Sequence, residues 1–155
     1  MAAELSSLWR EKLAGFMVVH HIGSTAVPGL PAKPVIDLLP VFASSAAMDA
    51  AQSAVEQMGY QWLGEYGLPG RRYAKRDTAT GQREVQAHCY VQGSPEITRH
   101  LAFRDALRAT PALRAAYTAE KVRCAGLHPG DAARYSACKS AWIDKAEHRA
   151  LERFS

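Results

Sequence analysis

The chain has 155 residues, of which 48% are hydrophobic and 22% charged, a composition typical of a globular domain with a sizeable core. Its formal charge of +4 favours anionic small molecules slightly, but it is too small to indicate nucleic-acid binding. No apolar run reaches the roughly 20 residues of a membrane span, and the charged N-terminus does not resemble a signal peptide. We therefore expect one domain, residues 1–155, in the cytoplasm and not in a membrane.

The cysteines also indicate a cytoplasmic protein. Cys89, Cys124 and Cys138 are odd in number and widely spaced, and they fit no zinc-binding spacing. Such cysteines are typical of reduced thiols in a cytoplasmic protein. The sequence therefore predicts no disulfide.

The first elements are a helix and two strands joined by a turn. An amphipathic helix is predicted over residues 2–15, followed by apolar strands over Phe16–Ile22 and Val35–Phe42. Gly23 and Ser24 lie in the turn that follows the first strand. Because glycine has no side chain, backbone N–H groups at such a turn can approach phosphate oxygens closely. The turn is therefore a candidate phosphate-binding site.

An acidic residue, Asp37, is embedded in the second strand between two pairs of apolar residues. This setting predicts a nearly buried carboxylate, which is costly unless a cation or hydrogen-bond donors satisfy it. One interpretation is a structural ion pair with Lys33 or an arginine. The other is Mg²⁺ (or Mn²⁺), which bridges carboxylates to substrate phosphates. The nearby Gly-Ser turn favours the metal or substrate site.

The rest of the chain is predicted to contain one helix, three strands and three further helices. The first of these helices starts at Ser44 or Ser45 as N-cap and ends at Gly59. Strands follow over Gln61–Tyr66, Arg71–Arg76 and Arg83–Val91, and helices follow from Pro95, from Pro111 and after the segment HPGD. A small mixed sheet followed by helices makes the fold α+β, or α/β with one covered face.

The strand Arg83–Val91 alternates polar and apolar residues, so Glu84, Gln86 and His88 share one face. A polar row of this kind is often a solvated sheet face. If the strand lies beside Asp37, however, Glu84 and His88 would supply further metal ligands. Both interpretations stay open at the level of the sequence.

Basic residues form another candidate group. Alternation along the preceding strand places Arg71 and Lys75 on one face and Arg72 on the other. Guanidinium groups suit phosphate oxygens because they donate two parallel hydrogen bonds, and lysine acts as a point charge. A solvated basic strand is the simpler explanation for some of these side chains.

Helical phase adds three cations to the candidate site. Lys139 falls in the middle of the apolar arc of the last helix, where a lysine must extend to solvent, pair, or point into a polar cavity. Arg104 lies in phase with apolar residues of its own helix, although Asp105 is an alternative partner for it. Lys121 follows Tyr117 by one helical turn and would add a further cation beside the site.

Five segments in order resemble the GrpB-like family (UPF0157 type), a branch of the minimal nucleotidyltransferase superfamily. The segments are GSTAVPGLPAKPVIDLLPV, PGRRYAKR, HCYV, SPEITRHLAFRDALR and YSACKSAWI. The resemblance extends from about His21 to about Asp144 and implies an α+β, nucleotidyltransferase-like fold, with helices packed on a small mixed sheet.

The resemblance also implies a function. A nucleoside monophosphate would be transferred to an unknown acceptor, with release of pyrophosphate. Gly23 and Ser24 would bind the β- and γ-phosphates, and Asp37 would be the catalytic residue that holds Mg²⁺. The cations that would neutralise phosphate charge are Arg72, Arg104 and Lys139.

Two departures from the wider pattern leave an alternative. Leu39 stands where the superfamily has a second carboxylate, and Tyr90 replaces a second histidine of the family. Two-metal chemistry needs several oxygen ligands to hold ions about 4 Å apart. The alternative is a non-catalytic module that binds a nucleotide or phosphometabolite. The resemblance suggests a link to coenzyme A metabolism, because GrpB-like domains can be fused to dephospho-coenzyme A kinases. The sequence itself lacks a Walker-type phosphate loop.

Overall fold

The computed structural model describes residues 2–13 and 16–154, and these form a five-stranded sheet and six α-helices. In chain order the elements are α1 Ala2–Lys12, β1 Phe16–Ile22, β2 Ile36–Phe42, α2 Ser45–Ala50, α3 Gln52–Gln57, β3 Gln61–Trp62, β4 Arg72–Asp77, β5 Arg83–Val91, α4 Pro95–Ala109, α5 Pro111–Leu127 and α6 Ala132–Phe154. The predicted α+β class is confirmed. The first helix ends at Lys12, and residues 14–15 of its predicted span lie outside the described residues.

The chain divides into two compact units. The first comprises Met1–Ala26 and Ala32–Ile97 and contains the sheet with α1, α2 and α3. The second comprises Val27–Pro31 and Thr98–Ser155 and contains most of α4 together with α5 and α6. No helix in the described part of the chain has the length and apolar character needed to cross a membrane.

The sheet is mixed, with the strand order β1-β2-β5-β4-β3. β2 pairs antiparallel with β1 and parallel with β5, and β4 pairs antiparallel with both β5 and β3. β2 therefore has neighbours on both sides, and each of its residues except Asp37 is buried. This position explains the strongly apolar sequence of the strand.

The core of the first unit lies between one face of the sheet and the helices. The apolar row of β5, which includes Val85, Ala87 and Cys89, is fully buried there, as its alternation predicts. Trp9 of α1 is also fully buried, and its indole N–H donates to the Tyr60 hydroxyl at 3.2 Å. The opposite face of β5 is thereby left for polar side chains.

In the second unit, aromatic contacts and an ion pair between α4 and α6 help to hold the helices together. The Tyr117 ring centroid lies 5.3 Å from that of Trp142 and 5.7 Å from that of Phe103. The Arg99 guanidinium of α4 donates to both carboxylate oxygens of Glu147 in α6, each at 2.8 Å. Glu147 is almost fully buried, so this pair satisfies a charge that would be costly alone.

Two further predicted elements are interrupted or shortened in the structure. The helix predicted to end at Gly59 is interrupted at Ala51, which separates α2 from α3, although Ser44 caps α2 as expected by accepting from the Ala47 N–H at 3.1 Å. The strand predicted over Gln61–Tyr66 ends at Trp62. The chain turns from Gly64 onward, where φ is +61°, and Tyr66 also has a positive φ of 48°, so these residues cannot continue an extended strand.

The prediction that all cysteines are reduced is wrong for one pair. Cys124 near the end of α5 and Cys138 in α6 form a disulfide, with their Cα atoms 5.8 Å apart. The chain reverses between the two helices and brings together residues 14 positions apart, a contact that cysteine spacing alone does not reveal. Cys89 is free and buried.

Candidate functional site

The candidate site of the first unit is centred on Asp37, the second residue of β2. Asp37 lies opposite Ile22 of β1 and Gln86 of β5. Its side chain is 23% exposed, so the strand is buried as predicted but the carboxylate is not. The position near the start of the strand explains this exposure, because the turn that follows Ile22 lies beside the carboxylate.

The Gly23 turn contacts the Asp37 carboxylate directly. A Cβ atom at Gly23 would lie 2.5 Å from Asp37 Oδ2, and the φ of Gly23 is +75°. Glycine is therefore required here for both space and backbone conformation. The turn continues as a short 3₁₀ segment, Ser24–Ala26, closed by the Ala26 N–H donating to the Gly23 carbonyl at 3.1 Å.

The other carboxylate oxygen of Asp37 contacts two side chains of β5. The Gln86 amide Nε2 donates to Asp37 Oδ1 at 3.1 Å, and His88 Nε2 lies 3.2 Å from the same oxygen. His88 Nδ1 lies 3.5 Å from Arg71 Nη1. Because a guanidinium only donates, this contact favours the tautomer in which His88 Nδ1 accepts and Nε2–H donates to Asp37.

A second layer of polar side chains supports Gln86. The Tyr73 hydroxyl donates to Gln86 Oε1 at 2.6 Å, and Arg83 Nη1 lies 3.0 Å from the Tyr73 hydroxyl oxygen. Burial raises the pKa of Tyr73, with the positive charge of Arg83 opposing that effect. The neutral phenol can therefore donate, and the hydrogen bonds run from Arg83 through Tyr73 and Gln86 to Asp37.

Glu84, predicted as a metal ligand, is not brought to Asp37. Its Oε2 instead accepts from Arg76 Nε at 2.9 Å. The pairing of β4 with β5 has a register shift between Arg76 and Asp77, next to the start of β5. Strict alternation fails at this irregularity, and Arg83 rather than Glu84 joins the hydrogen bonds around Gln86.

Arg71, predicted to bind phosphate, anchors the loop between β3 and β4. It is 8% exposed, and its guanidinium donates to the backbone carbonyls of Glu65 and Tyr66 at 3.2 and 2.8 Å. The same group lies over the Tyr73 ring, 5.0 Å from the centroid. Tyr66 stacks on Tyr73 with centroids 5.1 Å apart and is 64% exposed, so it places an accessible aromatic ring next to the cluster.

The other two basic residues predicted on this strand to bind phosphate, Arg72 and Lys75, have carboxylate partners. Arg72 donates to both oxygens of Asp49 at 2.7 and 3.3 Å, and this interaction raises the pKa of the guanidinium. Lys75 Nζ lies 3.6 Å from Asp77 Oδ2. Arg72 is opposite the buried Cys89 in the register, on the face of the sheet away from Tyr73 and His88, so the predicted alternation holds.

The three predicted cations of the helices all belong to the second unit. Lys121 Nζ donates to the Pro31 carbonyl at 2.9 Å and lies over the Tyr117 ring. Burial, followed by the charge of Lys139, lowers the pKa of Lys121. Lys139 lies over the ring of Tyr135, and Arg104 Nε is 2.9 Å from Asp105 Oδ1, the alternative partner named above.

Sequence reasoning did not assign site roles to Gln86, Tyr73 and Arg83. Gln86 and Tyr73 were detectable in principle, because alternation places each on a polar face of its strand. Arg83 was not, because its position depends on the register shift next to Asp77.

Similarity to known proteins identifies the family. The sequence profile of the family described as GrpB protein matches residues 1–149. The chain belongs to the GrpB family. It is 40% identical over 134 residues to the UPF0157 protein YqkA of Bacillus subtilis, and the match covers 86% of this chain but 38% of YqkA.

A solved structure and a longer protein are also similar to this chain. The crystal structure of the conserved protein GrpB from Enterococcus faecalis has a TM-score of 0.85 and 38% identity, covering 99% of this chain and 89% of that one. A protein of Mycobacterium leprae named dephospho-CoA kinase is 31% identical over 160 residues, covering 86% of this chain and 39% of that protein. This GrpB-family chain thus spans well under half of YqkA and of the kinase.

Proposed function

We propose that the Asp37 cluster, defined as Asp37, Gln86, His88 and the Gly23 turn, binds a nucleotide or another phosphorylated small molecule together with Mg²⁺ or Mn²⁺. The observation that carries this proposal is that the two oxygens of the Asp37 carboxylate have different surroundings. Oδ1 is oriented by Gln86 and His88, while Oδ2 faces a glycine turn whose backbone has no side chain in the way. Such an acid can hold a cation that also contacts phosphate oxygens bound near the turn.

The donors present fit a single hard cation. Asp37 supplies the carboxylate, and Mg²⁺ commonly takes one or two carboxylates while water and substrate phosphates complete its octahedron. Leu39, two residues further along β2, is fully buried and offers no oxygen, and Glu84 is paired with Arg76. These features favour one ion bound jointly with the ligand, and therefore favour ligand binding as the basic activity.

Nucleotidyl transfer is the second candidate, and it uses the same cluster. It is favoured by the contact between the glycine turn and the acid, the arrangement implied by the resemblance to nucleotidyltransferases. In that reaction an acceptor oxygen or nitrogen would bond to the α-phosphorus of a nucleoside triphosphate, and the bond to the leaving pyrophosphate would break. The phosphate-binding roles of Ser24, Arg71, Arg72 and Lys75 remain predictions, as do those of Arg104, Lys121 and Lys139 in the second unit.

Thermal unfolding in the presence of ligands tests the proposal. The set consists of the four nucleoside triphosphates, with dephospho-coenzyme A added because of the similar kinase, each with Mg²⁺, Mn²⁺ or EDTA. A ligand at 100 times its Kd stabilises a protein by about 2.7 kcal/mol, which raises the Tm measurably. We expect at least one metal-dependent shift. If no ligand raises the Tm with either metal, the proposal is wrong.

Two variants locate the binding and a second assay identifies the chemistry. Asp37→Asn should abolish the metal-dependent shift, whereas Asp49→Asn should retain it, because Asp49 pairs with Arg72 elsewhere in the first unit. If both variants lost the metal-dependent Tm shift equally, a specific role of Asp37 in binding would be contradicted. Release of pyrophosphate from a triphosphate that binds would then favour transfer, and its absence with candidate acceptors would favour the binding module.

A further inference from the structure

The second unit contains a pocket of about 400 Å³, and no residue of the Asp37 cluster lines it. Residues of α4, α5 and α6 line it, and most of the lining is apolar. The lining includes Ala106, Leu113, Ala116, Trp142 and Ala150. Binding sites for small molecules commonly have volumes of about 300–1,000 Å³ and mainly apolar walls, so the pocket has a suitable size and character.

One side of the pocket carries three cations. Lys145, Arg149 and Arg153 follow one another at intervals of four residues along α6, so they lie on the same side of the helix. All three are exposed. No acidic side chain lines the pocket within the described part of the chain. The pocket therefore combines an apolar floor with a positive rim.

Two of these cations, Lys145 and Arg149, differ from most charged side chains of the second unit in lacking a charged partner among the described residues. Over residues 2–13 and 16–154, neither Lys145 nor Arg149 forms an ion pair or side-chain hydrogen bond. Like charges four residues apart on a helix repel each other and destabilise it slightly. An anion between Lys145 and Arg149 would remove this repulsion, and the long side chains can follow a ligand at the rim.

We propose that this pocket binds a small amphipathic anion, namely an alkyl chain with a carboxylate or phosphate head group. The chain would pack against Leu113, Trp142 and Ala150, and the head group would lie between Lys145 and Arg149. A fully polar anion would leave the apolar floor uncovered, and a neutral chain would leave the cations without a partner. This activity is independent of the function proposed for the Asp37 cluster.

Isothermal titration calorimetry of the whole chain tests the ligand class. Decanoate is the first probe, and decyl phosphate distinguishes the two head groups. Decanol keeps the chain without the charge, acetate keeps the charge without the chain, and decyltrimethylammonium reverses the charge. We expect saturable one-site binding of decanoate or decyl phosphate, at least tenfold tighter than binding of the other three. Equal affinity for decanol, or no saturable heat with either anion, would overturn the proposal.

Variants place the ligand in the pocket. Lys145→Gln combined with Arg149→Gln should weaken binding of the anion at least fivefold, whereas Arg134→Gln, an exposed arginine of α6 outside the pocket, should leave it unchanged. Ala116→Trp, which fills the pocket from an exposed position on α5, should abolish binding. Unchanged affinity in the double glutamine variant contradicts the proposal, even if the tryptophan variant does not fold.

Discussion

His88 Nε2 lies 3.2 Å from Asp37 Oδ1, across the parallel pairing of β5 with β2. The two residues are 51 positions apart in the sequence, and their side chains are 16% and 23% exposed. A partly buried hydrogen bond of this kind fixes the direction of the carboxylate. The remaining oxygen then faces the Gly23 turn, where the proposed cation and phosphate would bind.

Removing the imidazole should therefore weaken ligand binding more than it weakens the fold. In His88→Phe, Asp37 Oδ1 loses its contact with the imidazole and keeps the hydrogen bond from Gln86. A net loss of about 1 kcal/mol corresponds to about a fivefold increase in Kd for the ligand identified by thermal unfolding. Calorimetric titration of that ligand into the native protein and the variant measures the two Kd values. Unchanged affinity would show that His88 does not orient Asp37.

Gly23 should be less tolerant of substitution than a glycine with the same backbone conformation elsewhere. Gly23 and Gly29 have φ values of +75° and +79°, but a Cβ at Gly29 would meet no atom within 4 Å. Either alanine variant should lose about 1 kcal/mol of unfolding free energy from the backbone alone. Gly23→Ala should lose more, because its Cβ would lie 2.5 Å from Asp37 Oδ2.

Urea unfolding measures the difference between these two variants. We also expect Gly23→Ala to lose metal-dependent ligand binding, because the carboxylate or the turn must move. Equal stability losses in the two alanine variants would contradict the close packing of the turn against Asp37.

The Tyr73 hydroxyl should make stability depend on alkaline pH. Its pKa is raised in the folded state, mainly by burial, so the folded protein holds this proton more tightly than the unfolded chain. The contribution is present in full below the ordinary tyrosine pKa of about 10 and is lost as pH rises through the folded value. Stability should therefore fall less steeply above about pH 10 in Tyr73→Phe than in the native protein. Urea unfolding at several pH values above about pH 10 measures this dependence. The same slope of unfolding free energy against pH in both proteins would contradict the prediction.

The disulfide between α5 and α6 should contribute to the stability of the second unit. Closing a loop of about 15 residues stabilises a fold by about 3 kcal/mol in the chain-entropy model, and Cys124 and Cys138 are 14 positions apart. Reduction of the native protein should lower its Tm. The Cys138→Ser variant provides the control, since a reductant should not change its Tm. A Tm that does not respond to reduction in the native protein would contradict this contribution.

Local sequence signals predicted many of the elements correctly. The span Arg83–Val91 is the observed β5, because its alternation matches a strand whose apolar row, Val85, Ala87 and Cys89, is buried. Ser44 caps α2, and Pro95 and Pro111 begin α4 and α5, as their local preferences indicate. The association of Gly23 with Asp37 also follows from short-range pattern, since one strand end and the next strand start must meet in an antiparallel pair.

The parts that could not be predicted depend on contacts between distant residues. A register shift decides that Arg83 rather than Glu84 joins the cluster. The disulfide depends on how two helices pack against each other. The hydrogen bond between Asp37 and Gln86 joins residues 49 positions apart, so no local sequence pattern indicates it. Such contacts are set by the packed fold, whereas sequence patterns report mainly on neighbours along the chain.

Paramagnetic broadening by Mn²⁺ tests the proposed cation site at Asp37 most directly. The chain has six histidines whose ring protons can be followed by NMR, and His88 is in contact with Asp37. With Mn²⁺ at substoichiometric concentration and a mixture of the four nucleoside triphosphates, we predict that the ring signals of His88 broaden first. In Asp37→Asn this selective broadening should disappear, and in Asp49→Asn it should persist. Broadening that is equal across all six histidines, or unchanged in Asp37→Asn, would contradict a cation site at Asp37.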